Sequence, residues 1–434
     1  MQLSELYRIF ELNPMITTDS RDCPEGSIFF ALKGDTFNGN EFAKQTLEKG
    51  CAYAVVDDAQ FANSSDKRII FVNDVLKTLQ QLANYHRHQL GTPILQITGT
   101  NGKTTTKELA SIVLSQAHRV LFTQGNFNNH IGVPKTLLRL TREHDIAVIE
   151  TGANHPGEIA ELSKIVDADC GLITNVGKAH LEGFGSFEGV IRTKGELYDY
   201  LRQKPDCFIF LHHDNEYLKP IATNLKAIRY GSPQKEEELE VSGEVIECAP
   251  YLKFRWRQKN GHWHEVQTQL IGSYNIDNLL AAVTIGLHFG VTPDRIDAAL
   301  TAYLPNNNRS QLVDTGKNHI VIDAYNANPT SMMAALENFR DMKVDKKMLI
   351  LGEMRELGSC SGEEHQKIVD FLVAHTIDQV WLVGKNFAAT TTSFRCFKDV
   401  DEVKQELLQH PLKGYYILLK GSNGTKLFQL SDSL

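Results

Sequence analysis

The run Thr98-Gly99-Thr100-Asn101-Gly102-Lys103-Thr104-Thr105 follows the apolar stretch Ile94-Leu95-Gln96-Ile97 and precedes residues with helical spacing. Glycines let a chain turn so that successive N–H groups converge on phosphate oxygens. A helix N-terminus adds partial positive charge at the same place. Strand, turn and helix in this order predict a phosphate-binding loop made of Gly99, Thr100, Asn101, Gly102, Lys103, Thr104 and Thr105, with ATP as its nucleotide. Lys103 is expected on the β- and γ-phosphates and the Thr104 hydroxyl on Mg²⁺. The full motif would place glycine at position 97, where this chain has Ile97, so the loop is a shortened variant. Kinases, GTPases, motors and ligases all carry such loops, and the loop alone names no reaction.

Other chemically capable residues fall at strand ends. Glu150 closes the apolar run Ile146-Ala147-Val148-Ile149, where a carboxylate facing the phosphate loop could hold Mg²⁺. Asn275 and Asn278 stand one helical turn apart at the start of a helical stretch, and two amides on one face suit an adenine edge. Capping of that helix by Asn275 is compatible with the same role. Arg309 sits where it could reach ATP phosphates from a domain hinge. Asp323 ends the run His319–Asp323, placed for ribose hydroxyls.

These residues need a scaffold, and the pattern supplies three segments. Residues 1–90 hold short apolar runs at 27–32 and 52–56, then a helical pattern from Val75 to Leu90 with Val75, Leu76, Leu79, Leu82 and Ala83 on one face. Gly91-Thr92-Pro93 punctuates the chain. Residues 91–309 alternate strands (94–98, 146–150, 170–175, 208–211) with helical spacing, the rhythm of a mostly parallel sheet. Alternation at Leu252, Phe254 and Trp256, with the turn signal Asn260-Gly261, predicts a β-hairpin insertion, and the charged run 235–238 before it reads as a solvated loop. Residues 310–434 repeat the strand–helix rhythm over four strands, a Rossmann-like unit. The fold class is therefore α/β in three domains.

Composition narrows the partners. The 434 residues carry a net charge of −8 and no long basic run, which argues against nucleic acid. No stretch is apolar enough for a membrane span, and the N-terminus does not read as a signal peptide. Seven scattered cysteines without Cys-x-x-Cys spacing fit reduced thiols and a cytoplasmic setting, and give no zinc site.

An ordered set of motifs spans the chain: the phosphate loop, then Asn126-Phe127-Asn128-Asn129-His130-Ile131-Gly132-Val133-Pro134, Glu150-Thr151-Gly152-Ala153, Thr174-Asn175-Val176-Gly177-Lys178-Ala179-His180, Lys194-Gly195-Glu196, Gly272-Ser273-Tyr274-Asn275-Ile276-Asp277-Asn278 and Asp323-Ala324-Tyr325-Asn326-Ala327-Asn328-Pro329. Together they resemble the Mur ligase family. The resemblance implies a monomeric ATP-dependent amide ligase acting through an acyl phosphate, with two Mg²⁺ ions. It implies that Thr104 and Glu150 hold one ion, and that His180 and a Lys194 carbamylated by CO₂ help hold the second. It makes Lys103, Lys194 and His180 the catalytic set.

The outer segments choose the substrate. Thr18-Asp19-Ser20-Arg21 and the stretch ending in Lys33-Gly34 resemble the family's uridine-nucleotide platform, with Ser20, Arg21 and Lys33 as diphosphate or hydroxyl contacts. Asn128 and Asn129 join them as expected substrate contacts. Tyr325, Asn326 and Asn328 resemble the member that adds D-alanyl-D-alanine to UDP-MurNAc-tripeptide, since neutral amides suit a small zwitterionic dipeptide. The diamino-acid-adding member carries a charged signature there. Folylpolyglutamate synthase shares the ATP chemistry but lacks a uridine-nucleotide segment like residues 1–90.

Overall fold

The computed structural model describes residues 1–305 and 309–434, without the side chains of 235–237. Among the described residues three large sheets organise the chain, beside a two-stranded ribbon of Lys33–Gly34 and Phe37–Asn38. The N-terminal one is all parallel, in the order Ile16–Thr17, Ile28–Phe30, Tyr53–Val56, Ile69–Phe71. Phe30, Val55 and Ile70 from it pack with Leu79, Leu82 and Ala83 of the helix Val75–Leu90. That helix starts where Asp74 Oδ1 accepts from Lys77 N at 2.8 Å. It stops at Gly91, whose φ of +68° is the left-handed cap conformation that glycine adopts at least cost.

The central sheet has nine strands. From one edge the order is His264–Ile271, Tyr251–Gln258, Val241–Cys248, Lys226–Gly231, Phe208–His212, Cys170–Ile173, Ile94–Thr98, Ile146–Glu150 and Val120–Phe122. All neighbours are parallel except the two pairs at the His264 edge. The hairpin expected around Asn260-Gly261 is present, with Asn260 at φ +61°. A third strand, Val241–Cys248, carries it onto the sheet edge, so the insertion extends the sheet itself. The backbone of the charged run lies in a 3₁₀ turn, Pro233–Glu238, and the side chains of 235–237 lie outside the described residues.

Ile94–Thr98 is buried on both faces, as an interior parallel strand must be. Leu95 and Ile97 pack with Leu109, Ala110 and Val113 of the helix Lys103–Leu114 and with Leu279 and Val283 of the helix Ile276–His288. Full burial of each such side chain contributes about 1.5–3 kcal/mol. This core holds the phosphate loop at the carboxyl end of the sheet, the usual place for a ligand in an α/β fold.

The C-terminal sheet has six strands, two more than the sequence pattern revealed, in the order Gln311–Asp314, His319–Asp323, Tyr416–Lys420, Lys347–Gly352, Gln379–Val383, Arg395–Phe397. Gln311–Asp314 is antiparallel to its neighbour and the rest are parallel. Asp323 therefore ends the second strand of this unit, after Gln311–Asp314. Among the described residues no helix is long and apolar enough to cross a membrane.

Candidate active site

A cavity of about 1580 Å³ opens between the three sheets. It exceeds the roughly 300–1,000 Å³ of a single small-ligand site, which leaves room for more than one substrate. Its floor is the phosphate loop. Gly99 and Gly102 adopt φ values of +141° and +77°, and a Cβ on either would stand 2.1 Å from Thr174 Oγ1 or 2.4 Å from Asn278 Oδ1. Only glycine allows that backbone so close to its neighbours.

Lys103 opens the following helix and turns back, donating from Nζ to Gly99 O and Thr100 O, each at 2.9 Å. Burial pushes its pKa down to about 8, against the raising effect of Glu150, with Arg309 also lowering it. Glu150 is buried at the end of its strand, beside Ile97 in register. Its Oε1 accepts from Asn128 Nδ2 at 2.8 Å, while Oε2 has no hydrogen-bond partner. A buried carboxylate oxygen left open in a cavity wall that Thr104 also lines fits a divalent cation. Among the described residues no three His, Cys, Asp or Glu side chains cluster as a metal cage. A Mg²⁺ that takes most of its ligands from phosphate and water needs none.

His180 lines the cavity at φ +50°, and its Nδ1 meets the Glu356 carboxylate of the C-terminal domain. Burial pushes its pKa down, Glu356 opposes this, and Lys103 and Lys194 add to it. Lys194 lies just behind the wall, 2% exposed, donating to Ala153 O at 3.4 Å with its Nζ over the Phe184 ring at 5.2 Å. Burial first and Lys103 second push its pKa down to about 7. As an ammonium Lys194 would repel a metal ion.

Several amides expected to meet ligands are engaged internally. Asn278 accepts from Thr106 Oγ1 at 2.9 Å and donates to Asn275 Oδ1 at 2.9 Å, and Asn275 donates to Ile271 O at 2.8 Å. Both line the cavity, but Asn275 does not cap the helix with its side chain. A 3₁₀ turn, Ser273–Asn275, runs straight into the helix and leaves Asn275 already helical. Asn129 Oδ1 accepts from Ile131 N and Gly132 N at 3.1 and 2.8 Å. Asn328 stands outside the cavity wall. It caps the helix Pro329–Asp341 through Ser331 N at 2.9 Å, and its Nδ2 donates to Asn101 Oδ1 at 2.7 Å.

Tyr325 and Asn326 do line the cavity, with the Arg309 guanidinium 4.2 Å over the Tyr325 ring. Asp323 lines it too, its carboxylate paired with the buried Lys420. Ser20, Arg21 and Lys33 lie outside the cavity. Arg21 chelates Asp19 with bonds of 2.9 and 2.7 Å, and Lys33 pairs with Asp57 at 2.8 Å. Residues from the N-terminal domain that do reach the cavity include Lys77, Gln80, Gln81, Asn84 and His88. They form the polar face of Val75–Leu90, at spacings of three, four and seven that the sequence displays. Lys420 had no such local signal, because its partner is 97 residues away.

A strand, a left-handed glycine turn and a helix-opening lysine at the carboxyl end of a parallel sheet define a P-loop nucleotide protein. A second Rossmann-like unit closing over that loop narrows the class further. Three family descriptions match along the chain: Mur ligase family, catalytic domain over 14–87, Mur ligase middle domain over 97–286, and Mur ligase, glutamate ligase domain over 308–423. The chain belongs to the Mur ligase family. It is 34% identical to the UDP-N-acetylmuramoyl-tripeptide--D-alanyl-D-alanine ligase of Bacillus subtilis, over 96% of this chain and 92% of that one. It is 35% identical to the Escherichia coli protein of the same name, over 87% and 83%. The crystal structure of MurF from Acinetobacter baumannii superposes with a TM-score of 0.86 at 31% identity, covering 97% of this chain and 93% of that one.

Proposed function

We propose that this chain joins D-alanyl-D-alanine to UDP-MurNAc-tripeptide at the expense of ATP, giving UDP-MurNAc-pentapeptide, ADP and phosphate. The observation that carries the reading is the cavity itself, walled by all three units and floored by the phosphate loop. Relatives named for this reaction match along almost the whole chain and support it. In this reading residues 1–90 bind the nucleotide sugar, 91–309 bind ATP and 310–434 bind the dipeptide. The enzyme works as a monomer in the cytoplasm, where ATP and the nucleotide-linked precursor are found.

The terminal carboxylate of the tripeptide attacks the γ-phosphorus, and the bond to the β-phosphate oxygen breaks to release ADP. Lys103 exchanges the carbonyls of Gly99 and Thr100 for phosphate oxygens, and the N–H groups of Gly102, Lys103 and Thr104 face the same charge, since those of Thr100 and Asn101 donate to Asn175. Thr104 and Glu150 would hold Mg²⁺, with Asn128 orienting Glu150, and His180 and a carbamylated Lys194 would hold a second ion. When bound there, such ions would supply neutralisation of the charge that develops on phosphate. The dipeptide amine then attacks the acyl carbon, phosphate leaves, and the amine loses its proton. Asn275 and Asn278 frame the adenine, Arg309 meets phosphates, and Asp323 the ribose. Tyr325 and Asn326 face the dipeptide, with Asn328 fixing that helix against the loop. Ser20, Arg21 and Lys33 take the nucleotide's diphosphate once it displaces Asp19 and Asp57 from their cations. No protein nucleophile is needed, so catalysis rests on position and charge.

Hydroxylamine trapping tests this route. With ATP and UDP-MurNAc-tripeptide, the wild type forms the tripeptide hydroxamate and Lys103→Ala forms none. Sustained turnover by Lys103→Ala would overturn the phosphate-loop assignment.

A further inference from the structure

The stretch 174–182 touches the phosphate loop on one side and the C-terminal domain on the other. Towards the loop, Thr174 Oγ1 donates to Asn101 O at 2.6 Å, and Asn101 N donates to Asn175 Oδ1 at 3.0 Å. Gly177 N donates to Thr100 Oγ1, also at 3.0 Å. Towards the C-terminal domain, Lys178 N donates to Thr330 Oγ1 at 3.1 Å and Lys178 Nζ pairs with Glu364 at 3.4 Å. Glu182 N donates to Glu356 O at 3.4 Å, and the Glu356 carboxylate meets His180 Nδ1.

Two features single out the last pair. His180 and Glu356 face each other across the domain boundary in left-handed backbone conformations, at φ +50° and +62°. Non-glycine residues adopt these only where their surroundings hold them, often at functional sites. The surroundings of Glu356 are firm. Met354 N donates to His365 Nε2 at 3.0 Å, Arg355 N to Ser422 Oγ at 3.0 Å, and Ser422 N to Glu353 O at 3.2 Å. In addition, His180 lines the cavity and Glu356 does not. The side-chain contact that links Glu356 to the cavity wall is the one with the His180 imidazole. The carboxylate occupies the space at Nδ1, although the contact lacks hydrogen-bond alignment there, so Nε2 is the ring nitrogen left for a ligand.

We propose that Glu356 is a positioning residue for the ligation: from the C-terminal domain it fixes the imidazole of His180, so domain closure and the working orientation of His180 are one event. The proposal rests on the reading of His180 as a group that faces metal or phosphate. An open C-terminal domain withdraws the carboxylate, and the imidazole is then free to turn. The site is thereby completed only when the dipeptide-binding domain is in place, which protects an acyl phosphate from water.

The test uses the full-length chain with ¹⁵N-labelled histidine and no added metal. The His180 resonances, identified by their loss in His180→Gln, should report a proton on Nδ1. That tautomer preference should disappear in Glu356→Ala and weaken in Glu356→Gln, which preserves side-chain volume at a half-exposed position. Turnover should fall about 10–100-fold in both variants, with the KM for ATP changed less than about threefold. In a His180→Ala background, Glu356→Ala should cause no further loss. An unchanged tautomer, a kcat within about twofold of wild type, or additive losses would overturn the proposal. Full turnover by His180→Ala would instead refute the role of His180 on which it stands.

Discussion

Lys194 offers a prediction that can be worked from its surroundings. Burial and the nearby Lys103 hold its pKa at about 7, against 10.5 for an ordinary lysine. At pH 7 an ordinary lysine has about one amine in 3,000 unprotonated, whereas Lys194 has about half. Only the free amine reacts with CO₂, adding through nitrogen to carbon and releasing a proton, so the carbamate should form readily at pH 8 and fail near pH 5.5. The unmodified lysine also carries a stability signature. Its folded pKa is the lower one, so the unfolded chain binds more protons between about 7 and 10.5, and the stability this residue allows rises with pH across that window. Below the window the buried ammonium carries the full penalty. The gap between the two values corresponds to at most about 5 kcal/mol. Lys194→Met should therefore be more stable than the CO₂-free wild type at pH 6, and the advantage should vanish towards pH 10.5. The assay pairs ¹³C NMR with labelled bicarbonate and urea unfolding in degassed buffer. No carbamate resonance at pH 8, together with equal stability of the two proteins at pH 6, would refute the reasoning.

Other perturbations probe neighbouring parts of the site. Gly102→Ala puts a Cβ 2.4 Å from Asn278 Oδ1 at φ +77°, so calorimetry should show ADP affinity reduced more than about tenfold. Asp323→Asn leaves Lys420 buried beside a neutral partner, and denaturant unfolding should show a loss of about 3 kcal/mol. Asn128→Ala frees the Glu150 carboxylate from its one bond, and the Mg²⁺ concentration needed for half-maximal rate should rise about 10-fold.

The readable parts of this protein were local. Asp74 and Gly91 bracket a helix whose limits follow from cap chemistry and an apolar stripe. The strand, glycine turn and lysine at 94–103 carry their own signature, and Glu150 follows from a strand end. What stayed hidden depends on partners far along the chain. Asn328-Pro329 is a local helix-start signal that points to Ser331 N, but nothing near it shows that the amide nitrogen goes to Asn101, 227 residues away. Nothing near Arg21 or Lys33 says whether a carboxylate or a phosphate answers the charge, and the fold supplies Asp19 and Asp57. Lys420 was invisible for a related reason: the register between parallel strands pairs it with Asp323, and register is a property of the sheet. The strand Val241–Cys248 escaped because its outer half is part-exposed and gives no clean alternation.

The central claim is the identity of the bond formed, and one measurement addresses it directly. Phosphate release from ATP is followed with UDP-MurNAc-tripeptide present, with and without D-alanyl-D-alanine, and the product is weighed by mass spectrometry. Release that depends on the dipeptide, with a product heavier by the dipeptide less one water, is the predicted result. Release that instead requires UDP-MurNAc-dipeptide and a diamino acid would keep the family and contradict the role assigned to Tyr325, Asn326 and Asn328.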